Sequence, residues 1–88
     1  MNSLKYKYFV SEPMGDKEIS VIPGICENSI FRLENLGFDY AYMLLGQFFV
    51  LYKNEEAFHE WLVSKTGMSK QSSKLSAKSM TSWCEAFM

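Results

Sequence analysis

The sequence predicts an all-α fold, a compact bundle of about five short helices. Apolar residues recur at the helical spacing i, i+3, i+4 along most of the chain, and no segment shows a convincing strand alternation. A length of 88 residues lies below the size at which chains usually divide, so we expect a single domain over residues 1–88. Hydrophobic residues at 48% and charged residues at 22% are typical of a globular protein and exclude a disordered chain.

The N-terminal half predicts two helices and a turn. The first helix covers residues 3–11, and the sequence Glu12-Pro13-Met14-Gly15 ends it, because a residue before proline is pushed out of the helical region. A short apolar segment, 18–22, ends at Pro23-Gly24. The next helix is expected from Glu27 to Leu36, with its acid at the positive end of the helix dipole. These elements form a predicted helix-hairpin-helix over residues 18–36.

The C-terminal half predicts three helices. The stretch from Tyr40 to Lys53 is apolar over more than one face, which indicates burial from two directions and therefore contact with a second subunit. Asn54 is expected to cap a helix over residues 55–65. The polar residues 68–74 are interpreted as a linker, and a last helix then runs to the C-terminus with an apolar stripe that includes Trp83.

Several classes of protein are excluded by residue type. Cys26 and Cys84 allow one disulfide at most and, together with His59, fall short of the four ligands of a structural zinc. No apolar run reaches the 18 or so residues of a membrane span. His59 lies beside acids on a predicted helix, so we expect a solvated surface histidine and no enzyme, metal or cofactor. A reduced, intracellular dimer is the expected form.

Charge is sorted along the chain, although the net charge is only −1. Residues 1–10 carry two lysines and no acid, and residues 61–88 carry four lysines and one acid. Residues 11–60 carry nine acids and three basic residues. Two interpretations stay open: these are solvated faces, or the two basic ends converge on a polyanion.

One short motif suggests a mechanism, Ile22-Pro23-Gly24-Ile25-Cys26. In a helix-hairpin-helix, the first glycine lets the backbone approach a phosphate, and the apolar Ile25 anchors the turn in the core. The N–H groups that open the following helix can then bind a phosphate oxygen without reading sequence. An ordinary connector between helices is the alternative. Cys26 takes the place of the usual second glycine, and a positive φ there would strain it by about 1–2 kcal/mol.

The whole chain resembles the barrier-to-autointegration factor family. The run from Phe9 to Lys17 is similar to the family signature FVAEPMGEK, and residues 37–51 resemble its central helix. Phe58, Trp61-Leu62 and the closing residues 83–87 extend the likeness to the C-terminus.

The resemblance implies a small SAM-like, all-helical nuclear dimer. Such proteins bridge double-stranded DNA without sequence preference, bind LEM-domain proteins of the inner nuclear envelope and help to compact chromatin. It implies a location on chromatin and at the nuclear periphery, with diffusion into the cytoplasm and no membrane insertion. Lamin and histones are further partners that it suggests.

This sequence matches the family's DNA-binding face only in part. The family's basic N-terminal segment corresponds to Ser3 and Lys5, and its hairpin to Gly24, Ile25 and Cys26. The helix after the hairpin contributes Asn28, Ser29 and Arg32, and a lysine near the last helix corresponds to Lys70. Phe31 stands where the family has a basic residue. Ser3 is also the remaining candidate for the family's N-terminal phosphorylation, which would repel DNA.

The family's partner and dimer surface corresponds to Leu45, Gly46, Val50 and Ala57, and the last of these replaces a leucine. These departures indicate a diverged paralogue. Two functions therefore stay open: a dimer that bridges DNA, or a regulatory paralogue that forms a heterodimer with the ordinary factor and binds DNA or LEM proteins weakly.

Overall fold

The computed structural model describes residues 3–88 and confirms the all-α fold. Five α-helices occur in this range, with a short 3-10 turn between the first two. Their bounds are α1 Ser3–Ser11, the 3-10 turn Ile19–Val21, α2 Glu27–Asn35, α3 Ala41–Val50, α4 Glu55–Thr66 and α5 Lys70–Phe87. No helix within these residues is long and apolar enough to cross a membrane.

Helix ends follow local chemistry. The Asn54 side chain accepts a hydrogen bond from the Ala57 N–H at 2.8 Å, so it caps α4 as expected. Gly67 ends that helix in the left-handed conformation, with φ 73°. Helix α3 is shorter than predicted, because Tyr52 and Lys53 both adopt positive φ and turn the chain immediately after it.

The prediction of a linker over residues 68–74 is wrong. Helix α5 begins at Lys70, and the Ser69 side chain caps it by accepting a hydrogen bond from the Ser72 N–H at 3.1 Å. The segment looked like a linker because its inward face carries serines in place of large apolar residues.

Three of these serines, Ser73, Ser76 and Ser79, are fully buried in α5. Their hydroxyls donate to the carbonyl oxygens of Lys70, Pro23 and Leu75 at 2.7–3.0 Å, so no buried hydroxyl lacks a partner there. Small side chains with satisfied hydroxyls let neighbouring elements approach α5 closely.

The core takes buried apolar residues from all five helices, including Phe9 of α1, Leu33 of α2 and Met80 of α5. Phe48 of α3 packs edge-on against Phe58 of α4, with ring centroids 5.2 Å apart. Helix α1 is tied to α5 by a 2.7 Å hydrogen bond between the hydroxyls of Tyr6 and Ser82. The indole N–H of the buried Trp83 donates to a backbone carbonyl just after α1 at 3.0 Å.

His59 is buried, not solvated as predicted, with 5% of its surface exposed. Its Nδ1 lies 2.9 Å from the Ser73 hydroxyl, and its Nε2 lies 3.4 Å from a Glu56 carboxylate oxygen. The ring therefore links α4 to the first turns of α5, and its role here is structural.

Candidate nucleic-acid interface

The hairpin is anchored by three buried residues. Ile22, Pro23 and Ile25 are all inaccessible, and the Ile25 N–H closes the turn on the Ile22 carbonyl at 3.2 Å. Gly24 adopts φ +88°, a conformation that side chains rarely tolerate. The turn thus has one defined shape, set by its own sequence and by the core below it.

Gly24 has a packing role that the sequence analysis did not predict. A Cβ at this position would overlap the Ser72 carbonyl oxygen and lie 2.6 Å from the Ser76 hydroxyl oxygen, both in α5. The missing side chain therefore permits close contact between the hairpin and α5. Ser76 completes the contact, since its hydroxyl donates to the Pro23 carbonyl at 2.7 Å.

The expected backbone strain at Cys26 is absent. Cys26 is the N-cap of α2 with φ −105° and ψ 175°, an extended conformation open to any residue. The positive φ under which a side chain here would cost about 1–2 kcal/mol is therefore not required. Its exposed thiol lies 3.4 Å from the Ser29 hydroxyl.

The start of α2 favours negative charge. The pKa of the Cys26 thiol is lowered most by the Ser29 hydroxyl, which stabilises the thiolate. The backbone N–H groups of Ser29 and Asn28 lower this pKa further, by smaller amounts. The N-cap side chain, that of Cys26, accepts no capping hydrogen bond from the start of α2. The same donors would favour a phosphate oxygen.

Two basic residues flank this helix start. Lys5 of α1 is half-buried, which lowers the pKa of its ammonium, while the nearby Cys26 thiolate raises it. Lys5 and Cys26 are therefore within electrostatic range of each other, although the two residues are far apart in sequence. Arg32 is exposed, one turn along α2 from Asn28. Ser3 begins α1.

The remaining DNA-face candidates, Asn28, Ser29 and Lys70, differ in exposure and in the helix that carries them. Asn28 is exposed, whereas the Ser29 side chain is buried, so only the backbone of Ser29 remains as a candidate contact. Lys70 is the first residue of α5 and lines a groove between α4 and α5 with His59 and Lys74. Its helix contacts the hairpin at Gly24 through Ser72 and Ser76.

The candidate partner surface lies on and after α3. Leu45 is buried, while Gly46 and Val50 are exposed, the latter to 66%. Ala57 is half-buried near the start of α4. The exposed apolar side chains of α3 are Tyr42, Phe49 and Val50. This outer face is the second apolar direction that the sequence predicted.

Ser72 and Ser76, which lock the hairpin, were not identified from the sequence. Nothing in a serine-rich segment marks it as the partner of a turn about fifty residues earlier. The N-cap pattern from Ser69 to Ser72 was the available signal that a helix begins there.

The structure defines a small all-helical domain with a helix-hairpin-helix whose turn is buried against the C-terminal helix. The model of one protein family, described as barrier to autointegration factor, matches residues 1–87. Over 86 residues the chain is 43% identical to barrier-to-autointegration factor from Mus musculus, covering 98% of this chain and 97% of the relative. Barrier-to-autointegration factor from Danio rerio is 44% identical, covering 98% and 96%. The Caenorhabditis elegans protein, barrier-to-autointegration factor 1, is 41% identical, covering 98% and 97%. The chain belongs to the barrier-to-autointegration factor family, as the resemblance indicated.

Proposed function

We propose that this protein is a chromatin protein that binds and bridges double-stranded DNA as a dimer. The observation that carries the proposal is the start of α2, where the buried hairpin leads into backbone N–H groups that no side chain caps. Lys5, whose charge interacts with the Cys26 thiolate, and the exposed Arg32 of α2 supply positive charge. Because the donors are backbone groups, this site would bind phosphate without preference for sequence.

Bridging requires two such sites in one particle. The exposed apolar face of α3 supports self-association, because Tyr42, Phe49 and Val50 would be covered in a dimer. Each subunit would then present one hairpin, and two duplexes could be held together. Leu45, Gly46, Val50 and Ala57 are the proposed docking surface for LEM-domain proteins, which would bind where the dimer leaves this surface accessible. We place the protein in the nucleus, on chromatin and at the nuclear periphery, where lamin and histones are further proposed partners.

The second candidate is a regulatory paralogue that forms a heterodimer with an ordinary family member and binds DNA weakly. Ala57 supports this second candidate, because alanine is shorter than the family's leucine and offers less apolar contact to a partner. The absence of strain at Cys26 removes one reason for weak DNA binding and favours the first candidate.

Salt dependence of duplex binding tests the proposed site. Each phosphate contact that is lost should flatten the slope of log affinity against log salt by about one unit. We expect this for Lys5→Ala and for Arg32→Ala, measured by fluorescence anisotropy with a short DNA duplex. Lys65→Ala is the matched control, because Lys65 is an exposed lysine at the far end of α4. The proposal would be contradicted if wild-type affinity did not depend on salt concentration, or if both variants kept the wild-type slope of log affinity against log salt.

Light scattering tests the dimer. A Cβ at Gly46 meets no atom within 4 Å, so Gly46→Glu leaves the fold of one subunit intact. In a dimer it would bury a charge in an apolar face, and we expect a monomer. Gln71→Glu adds the same charge at an exposed position on α5 and should remain dimeric. A Gly46→Glu protein that stays dimeric would refute this interface. Mixing the wild type with an ordinary family member distinguishes homodimers from heterodimers.

A further inference from the structure

The first two turns of α5 are held from two sides. On one side, Nδ1 of the buried His59 in α4 lies 2.9 Å from the Ser73 hydroxyl oxygen. On the other side, Ser76 donates to the Pro23 carbonyl at 2.7 Å, and Gly24 of the hairpin packs against the same helix. Ser73 and Ser76 are about one helical turn apart, so both contacts act on the same short stretch of backbone.

The hydrogen bonds at Ser73 determine which atom donates to which. A hydroxyl has one proton, and the Ser73 hydroxyl donates it to the Lys70 carbonyl at 3.0 Å. The Ser73 oxygen is therefore the acceptor in its contact with His59, and Nδ1 of the ring carries the donated proton. Because a buried N–H that loses its acceptor is costly, this bond holds the start of α5 against α4.

Few other buried side chains set the position of this part of α5. Between Met68 and Ala77, Ser73 and Ser76 are the only buried residues. Small hydroxyl side chains bury little apolar area, so hydrogen bonds contribute more to holding the helix here than they do around the buried Met80. Loss of the His59 contact should therefore move the start of α5 and, with it, the hairpin.

We propose that His59 is a positioning residue for the hairpin. Its Nδ1–H holds Ser73, and α5 carries that constraint through Ser76 to Pro23 and Gly24. The inference rests on the proposed function, since the hairpin and the helix start after it are where that function places the duplex backbone. His59 would affect DNA affinity without contacting DNA, because it keeps the turn in one position relative to α5.

Asparagine and glutamine at position 59 separate this hydrogen bond from simple packing. The amide nitrogen of asparagine lies at about the position of Nδ1, whereas that of glutamine lies one bond farther out, as does the Nε2 atom that faces Glu56. If His59 only fills space, His59→Asn should be the worse variant, because asparagine leaves the larger cavity. If its N–H positions Ser73, His59→Gln should be the worse variant.

Two measurements report the effect. Hydrogen exchange of the Ile25 N–H, which closes the turn on the Ile22 carbonyl, measures opening of the hairpin without any DNA. Fluorescence anisotropy with a short duplex measures affinity. We expect about fivefold faster exchange and about fivefold weaker binding in His59→Gln, and values within about twofold of the wild type in His59→Asn. Glu56→Gln is the matched control, because it alters only the other contact of the ring and should change neither value.

Ser73→Ala tests the same hydrogen bond from its other side. Alanine favours helix, so the variant keeps α5, and it removes the acceptor of Nδ1 without altering the ring. It should reproduce the exchange and the affinity of His59→Gln. Adding His59→Gln to Ser73→Ala should cause little further change, because the bond is already lost.

The two readouts separate this inference from the proposed function. Faster Ile25 exchange in His59→Gln than in His59→Asn, with no duplex binding even by the wild type, would support the positioning role and refute the duplex function. Salt-dependent duplex binding with wild-type affinity and wild-type Ile25 exchange in His59→Gln would overturn the positioning role and leave the duplex function standing. A greater loss in His59→Asn than in His59→Gln would also overturn it.

Discussion

Replacing Gly24 with alanine should strongly destabilise this protein, because the hairpin turn has no room for a Cβ. Gly24 has φ +88°, and an alanine there is strained by about 1–2 kcal/mol. The added carbon would also overlap the Ser72 carbonyl oxygen and crowd the Ser76 hydroxyl. The carbonyl belongs to the backbone of α5 and cannot rotate away, so overpacking adds about 1–3 kcal/mol.

The expected loss is therefore about 2–5 kcal/mol of unfolding free energy, out of the roughly 5–15 kcal/mol typical of a domain. For a domain of this size, that lowers Tm by roughly 10–40 °C. Thermal unfolding followed by far-ultraviolet circular dichroism would measure it, because most of residues 3–88 are helical.

Gly37→Ala is the matched control. Gly37 has φ +94°, but a Cβ there meets no atom within 4 Å, so only the strain of about 1–2 kcal/mol applies. The difference between the two variants isolates the contact between the hairpin and α5. If Gly24→Ala proves no less stable than Gly37→Ala, then the hairpin is not packed against α5 as described.

Two further predictions concern a helix cap and the two thiols. Asn54→Ala removes the acceptor of the Ala57 N–H and should lower the unfolding free energy by about 1 kcal/mol in urea denaturation; an unchanged midpoint would contradict the cap. Hydrogen bonds lower the pKa of Cys26, whereas burial raises the pKa of Cys84. Since the thiolate is the reactive form, iodoacetamide should modify Cys26 first and at lower pH, as followed by mass spectrometry. Equal rates at both thiols would refute this reasoning.

Much of the fold could be predicted because local periodicity and caps act over a few residues. The starts of α2 and α4 follow from Glu27 and Asn54 with their apolar stripes, and Gly67 ends α4 as its position suggests. The hairpin was likewise visible in Pro23-Gly24 and its apolar neighbours. Each of these features depends on side chains within about one helical turn of one another.

The errors share one physical cause, which is that burial by distant elements overrides local polarity. The serines of α5 look like a linker until Ser76 is seen to hydrogen-bond the Pro23 carbonyl. His59 looks solvated until Ser73 covers it. No periodicity within a segment reports such contacts.

The candidate site divides in the same way. The sequence alone identified its components, which are a hairpin, the helix start that follows it, and Lys5 and Arg32 as cations. The tertiary structure decided that Gly24 faces α5, that Cys26 adopts an extended backbone, and that the charges of Lys5 and the Cys26 thiolate interact. A sequence determines helices through short-range spacing, whereas the approach of α1 and α5 to the hairpin depends on how the whole core packs.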